Sequence, residues 1–305
     1  MKLGYDIVGD IHGYAEPLRQ LLNKLGYEKR GGVYRHSERQ MLFLGDFIDR
    51  GPEQREVLSI ARTMCDAGSA QAVMGNHEFN AIGWATQDRR GGYLRPRCDK
   101  NEKQHAEFLR QLGSDSADHV SAVNWFRTLP VWLELPEIRL IHACWHEPSR
   151  QAMLPYLDAG ARFTEQGFHI CNQRGSDGYE CAETLLKGPE QRLPDGISFF
   201  DKDGHHRDSV RLKWWDSDAT TFRTAAIGVE DSQDQLPDDP LLSNYFYAEN
   251  KPVFFGHYWL KGEPAISSPN AACLDYSVAK GGFLTAYSWS GEAKLSANNL
   301  TFVPA

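Results

Sequence analysis

Three times in the first 80 residues, a short apolar run ends in a glycine-led polar motif and then gives way to residues at helical spacing. Tyr5-Asp6-Ile7-Val8 runs into Gly9-Asp10-Ile11-His12-Gly13, followed by Leu18, Leu21, Leu22 and Leu25. Met41-Leu42-Phe43-Leu44 runs into Gly45-Asp46-Phe47-Ile48-Asp49-Arg50-Gly51, followed by Val57, Leu58, Ala61 and Met64. Ala70-Gln71-Ala72-Val73-Met74 runs into Gly75-Asn76-His77-Glu78. Strands that alternate with helices predict an α/β core. In such folds, polar groups that follow strand ends collect along one rim.

Two later apolar runs end in histidine: Arg139-Leu140-Ile141 at His142, and Pro252-Val253-Phe254-Phe255 at Gly256-His257. A further strand pair is expected at Ala272–Asp275 and Phe283–Tyr287, joined through Gly281-Gly282. Residues 146–250 are less regular and rich in glycine. They read as a large insertion beside the rim, within one domain spanning residues 1–305.

The chain carries 33 basic and 41 acidic side chains, a net charge of −8, which argues against a nucleic-acid polymer as partner. A small anionic substrate stays compatible, because bound cations reverse the local charge. No apolar run reaches the roughly 18 residues of a membrane helix. The N-terminus meets Asp6 too early for a secretory leader, and the six cysteines are scattered. Reduced thiols and a cytoplasmic protein are therefore expected.

Asp10, His12, Asp46, Asn76, His142 and His257 form a mixed oxygen and imidazole donor set that suits Mn, Fe or Zn better than Ca. Asp10 and His12 lie two apart and would point the same way in an extended segment. The motifs GDIHG at 9–13, GDFIDRG at 45–51 and GNHE at 75–78, followed by two separated histidines, resemble the phosphoprotein-phosphatase branch of the calcineurin-like metallophosphoesterases. The close resemblance covers residues 4–80 and short blocks near 142 and 252–287. It implies a two-sheet β-sandwich flanked by helices in four layers, and two metal ions, Mn first and Fe or Zn otherwise. By resemblance, Asp10, His12 and Asp46 hold one ion, while Asp46, Asn76, His142 and His257 hold the other. A hydroxide between them would attack phosphorus in line. His77 would protonate the leaving oxygen, Asp49 would orient His77, and Arg50 would grip the phosphate.

Asp49, where purple acid phosphatases have Tyr, and the absence of a second histidine after His257 favour that branch. The block Cys273–Ser277 with Gly281-Gly282 is more similar to its bacterial diadenosine tetraphosphatases. Cys144 stands where the family usually has Gly and is read as packing. Arg174, Arg211, Lys213 and Arg223 are candidates for a second phosphate-gripping residue. His146, Trp214-Trp215, His205-His206 and the acidic run Glu230–Asp239 are read as packing or solvated loop before any role at the site. The expected function is hydrolysis of a phosphomonoester, protein Ser or Thr phosphate included. Hydrolysis of a nucleotide anhydride is the rival, and a scaffold that has lost catalysis is a remote third. The substrate partner is a phosphorylated protein, small molecule or nucleotide.

Overall fold

The computed structural model describes residues 4–200, 206–242 and 245–305. Two β-sheets carry the chain. In the first, strand Gly4–Val8 lies parallel to Arg39–Phe43, which lies parallel to Ala70–Ala72. Phe283–Trp289 runs antiparallel to Gly4–Val8 and also pairs with Asp275–Tyr276 and Leu300–Pro304. In the second, Arg139–Ile141, Val253–Phe255 and Ala271–Cys273 are parallel, with Trp132–Glu134 antiparallel at one edge.

Both faces of each sheet are covered, which is why these strands read as nearly continuous apolar runs. Successive side chains point to opposite faces. Ile7, Leu42, Leu140, Phe254 and Ala272 therefore form one apolar cluster between the sheets. Their neighbours Val8, Met41, Phe43, Ile141, Val253, Phe255 and Cys273 join the cluster that covers the outer faces. There they meet Leu18 and Leu22 of helix Ala15–Lys24, Val57, Ala61 and Met64 of helix Gln54–Asp66, and Leu185 of helix Asp177–Lys187. The result is a four-layer sandwich, helices outside and two sheets within, as the resemblance implied.

The expected strand 272–275 is divided between the sheets. Ala271–Cys273 belongs to the second, Leu274 donates its N–H to Phe255 O, and Asp275 begins a strand of the first. That crossing holds the two rims together.

Residues 146–250 contain helices Glu147–Met153, Glu165–Cys171 and Asp177–Lys187 and a small sheet of Glu190–Arg192, Ser209–Leu212 and Ala226–Ile227. Leu193, Phe199, Val210, Phe222 and Leu236 give this sheet its own apolar cluster. A second excursion, absent from the sequence-based expectations, holds helices Asp99–Leu112 and Ala117–Phe126. Among the described residues, no helix is long and apolar enough to cross a membrane.

Candidate metal centre and phosphate cavity

Because the strands ending at Val8, Phe43, Ala72, Ile141 and Phe255 are parallel within their sheets, the segments after them meet at one rim. All six expected donors arrive there, and all are buried. Oδ2 of Asp46 lies 3.7 Å from His12 Nε2 and 3.4 Å from His142 Nε2. Asn76 Oδ1 is 3.0 Å from His142 Nε2 and 2.7 Å from His257 Nδ1. Asp10 accepts from the backbone N–H of His257 at 3.1 Å, joining the first motif to the last.

The expected extended course at Asp10 and His12 is not what brings them together. His12 has φ 48°, and the segment is a turn whose N–H groups at Ile11 and His12 donate to Asp46 O. Six of the nine non-glycine residues with positive φ among those described are His12, Asp46, Asp49, Arg50, His257 and Trp259. Such backbone is costly and persists where surrounding contacts over-determine it. Glu78 supplies some of those contacts, accepting from the N–H groups of Asp46, Phe47 and Gly75 at 2.8–3.0 Å. Two glycines are demanded by close approach: a Cβ on Gly256 would lie 2.0 Å from Asp10 Oδ1, and one on Gly75 2.2 Å from Asp46 Oδ1.

Metal ions fit these residues. His12 donates Nδ1–H to Ile48 O at 2.9 Å, which turns a bare Nε2 toward the carboxylates. That Nε2 is buried without a hydrogen-bond partner among the described residues, an expensive state that a cation would relieve, while His257 turns Nδ1 toward Asn76 Oδ1. Donor atoms of His12, Asp46 and His77, and of Asp46, His142 and His257, form two groups, each within 4.8 Å, that share Asp46. Burial, and then the charge of His77, lowers the pKa of His12 to about 4, the neutral form a ligand needs. Burial, then Asp275 and Asp46, pushes Asp10 well above the usual carboxylate range.

Beside this cluster, His77 Nδ1 and Asp49 Oδ2 are 2.5 Å apart, with both residues buried. Burial opposes the His77 imidazolium, but Asp46 and Asp49 outweigh it and raise its pKa. Burial likewise opposes the Asp49 carboxylate, but His105 and His77 outweigh it and lower its pKa. Arg50 is exposed, its guanidinium 5.4 Å from the centre of the Trp259 ring, and it has no carboxylate in ion-pair range among the described residues.

The structure adds residues the motifs did not indicate. Beside the expected Arg50 and the candidate Arg174, Arg95, Lys100 and Lys187 and neutral Asn80, Asn101 and Gln104 line a cavity of about 320 Å³ over the cluster. Arg95 is partly buried and donates to Asn80 Oδ1 and to Gln104 Oε1, the latter at 2.8 Å. His105 Nδ1 is 2.8 Å from Asp49 Oδ1. The one trace of this helix in the sequence is the spacing of His105, Phe108 and Leu112, which all face inward.

Of the second-arginine candidates, Arg174 lines this cavity, and Arg211 lines an adjoining one that shares His257 and Trp259. Arg223 is spent on Leu236 O and Lys213 on Thr224 O. Trp214 and Trp215 are core: Trp214 donates Nε1–H to Ala143 O, and both rings pack on Phe255. Cys144 is fully buried, and burial pushes its thiol well up. His146 accepts from Ser149 N at the start of helix Glu147–Met153 and meets the ring of Tyr245. The expected turn at 205–206 is only half visible: His205 lies outside the described residues, and His206 is exposed in a short strand paired with Phe200. The acidic run begins as a 3-10 turn, Glu230–Gln235, and Leu236 behind it is buried. All six cysteines are unpaired.

A sandwich with an imidazole–carboxylate cluster at its rim, opening on a cationic cavity, is that of a hydrolase of phosphate esters. The chain belongs to the calcineurin-like phosphoesterases, a two-metal family whose model matches residues 5–258. It is 24% identical over 98% of its length to a symmetrical bis(5'-nucleosyl)-tetraphosphatase of Proteus mirabilis, 98% of which is covered. It is 44% identical, over 73 residues, to an asymmetrical bis(5'-nucleosyl)-tetraphosphatase of Oceanobacillus iheyensis; that match spans 24% of this chain and 29% of the relative. The fold is shared with a putative diadenosine tetraphosphatase (TM-score 0.51, 17% identity, 100% of this chain and 94% of that one). It is also shared with a yeast serine/threonine phosphatase similar to human PP5 (TM-score 0.51, 15% identity, 99% and 79%).

Proposed function

We propose that the chain hydrolyses a phosphoanhydride bond of a nucleoside polyphosphate, with a dinucleoside tetraphosphate as the representative substrate. The charge of the cavity carries this reading. Five cationic side chains line it, and among the described residues its only carboxylates are Asp46 and Asp49, in a chain of net charge −8. Lys187 is shared with Glu183, whereas the hydrogen bonds of the partly buried Arg95 among the described residues go to the neutral amides of Asn80 and Gln104, with no carboxylate in ion-pair contact. One phosphomonoester beside two cations and Arg50 leaves Arg95, Lys100 and Arg174 without work; a chain of phosphates engages them. The adjoining cavity of about 260 Å³ offers Phe199, Ile227 and Val229 to a nucleoside, and Arg211 and Glu190 to its polar edge. The motifs alone serve a phosphomonoester equally well, so this cationic lining and the full-length similarity to symmetrical tetraphosphatases move the emphasis to the anhydride.

In this reading, Asp10, His12 and Asp46 hold one divalent ion, and Asp46, Asn76, His142 and His257 the other, Mn first and Fe or Zn otherwise. When bound, the ions supply an acidified water and neutralise phosphate charge. Arg50, steadied on Trp259, binds the oxygens of the reacting phosphate. Asp49 accepts Nδ1–H from His77, so the imidazole presents Nε2–H to the leaving oxygen. The insertion 146–250 is part of the same catalytic domain in this reading, because Trp214, Trp215 and Tyr247 share an apolar cluster with Ile141, Val253 and Phe255. The unpaired cysteines support a reducing, cytoplasmic setting.

The test is parallel turnover of diadenosine tetraphosphate, a phosphoserine peptide and an aryl phosphate, with Mn and with chelator. Preference for the dinucleotide with ADP as sole product supports symmetrical cleavage, and ATP with AMP supports asymmetrical cleavage. Preference for the peptide overturns the anhydride reading.

A further inference from the structure

Asp49 holds two imidazoles, and only one of them faces the donor cluster. Oδ2 meets His77 Nδ1 at 2.5 Å, and Oδ1 meets His105 Nδ1 at 2.8 Å. His105 is buried, with its ring centre 4.8 Å from that of Phe108 and 5.8 Å from that of Trp84, so its orientation is fixed by packing. The same helix, Asp99–Leu112, reaches the Asp49 loop again through Gln111. Gln111 Oε1 accepts from Gln54 N at 2.8 Å, and Gln54 in turn accepts from Asp49 N at 2.8 Å and donates to Gly51 O at 2.7 Å. Both the backbone of Asp49 and its far carboxylate oxygen are thus set by one helix from outside the motifs.

We propose that His105 is a positioning residue for proton delivery by His77. Donation from His105 Nδ1–H to Oδ1 stops the Asp49 carboxylate turning, so that Oδ2 stays in line with His77 Nδ1. Without it, Oδ1 is a buried acceptor with no partner, and the carboxylate rotates to recover one. The His77 ring then loses its aim. The inference rests on the proposed role of His77. It makes a specific demand: His105 matters in proportion to how much the leaving group needs a proton.

The test compares His105→Leu with His105→Asn, whose amide N–H falls near the position of Nδ1–H. Each is assayed in the Mn-loaded enzyme on an aryl phosphate with a good leaving group and on an alkyl phosphate with a poor one. The expected result is a fall of about tenfold or more in the poor-to-good kcat ratio for His105→Leu, largely restored in His105→Asn. A ratio unchanged in His105→Leu, whatever the absolute rates, overturns the proposal. A second readout needs no turnover: the downfield proton resonance of the short His77–Asp49 hydrogen bond. It should shift or broaden in His105→Leu and return in His105→Asn. Its persistence in folded His105→Leu overturns the proposal even if the substrate reading fails.

Discussion

Removing metal ions from this protein should lower its melting temperature by several degrees, and the increment should depend on Asp46 more than on any other donor. The carboxylates of Asp10, Asp46, Glu78 and Asp275 are buried around the cluster, and the buried Nε2 of His12 has no hydrogen-bond partner among the described residues. Cations that bind only the folded state stabilise it by about 2.7 kcal/mol per site at a free concentration one hundred times Kd. Two sites then contribute about 5 kcal/mol, which for 305 residues corresponds to roughly 8 °C. The assay is thermal unfolding at fixed pH with excess Mn, with chelator, and with Mn restored beyond the chelator. Asp46 belongs to both donor groups, so Asp46→Asn should abolish the increment; His142→Ala, which touches one, should leave about half. Equal melting temperatures with and without Mn, Fe or Zn would refute the two-ion reading. Complete loss in His142→Ala would reduce it to a single ion.

Three further outcomes follow from the same contacts. Gly256→Ala should keep the fold but weaken Mn binding on the order of tenfold or more by calorimetric titration, because the new methyl displaces Asp10. Arg95→Ala should raise KM for diadenosine tetraphosphate about tenfold or more while moving the aryl phosphate much less, since Arg95 lines the cavity and is proposed to engage the phosphates beyond the reacting one. Asp49 has a pKa below its unfolded value, so its contribution to stability is present above that value and is lost as pH falls through the acid range. In Asp49→Asn, stability measured by urea unfolding should therefore depend less steeply on pH below about 4. An unchanged slope would show that the carboxylate is not held by His77 and His105.

The α/β order, the strands on either side of each motif and the convergence of six donors were legible in the chain because each is local. An apolar run buried on both faces, a glycine where another backbone or carboxylate must pass, and a polar residue after each strand all lie within a few positions of one another. Asp10 and His12 illustrate the limit. Their grouping was readable, but their geometry was not, because a left-handed turn at His12 is stabilised by Asp46 O, 34 positions away in the sequence. Likewise, the run Ala272–Asp275 carries no mark that Leu274 changes sheets. That break exists only because Leu274 can bond Phe255 while Asp275 pairs with Leu284.

What tertiary structure alone decided is the second layer of the site. Arg95, Lys100, Gln104 and His105 come from segments with no motif, and Arg174 and Lys187 from the insertion. Their role depends on which face of a helix meets a loop from elsewhere. Sequence spacing reports periodicity within an element, but it holds no information on the partner. The chemistry of the centre is written in short motifs, because donors must sit at fixed distances from a strand end. The choice of substrate is written in contacts between remote segments, because a cavity is bounded by whatever the fold brings to its walls.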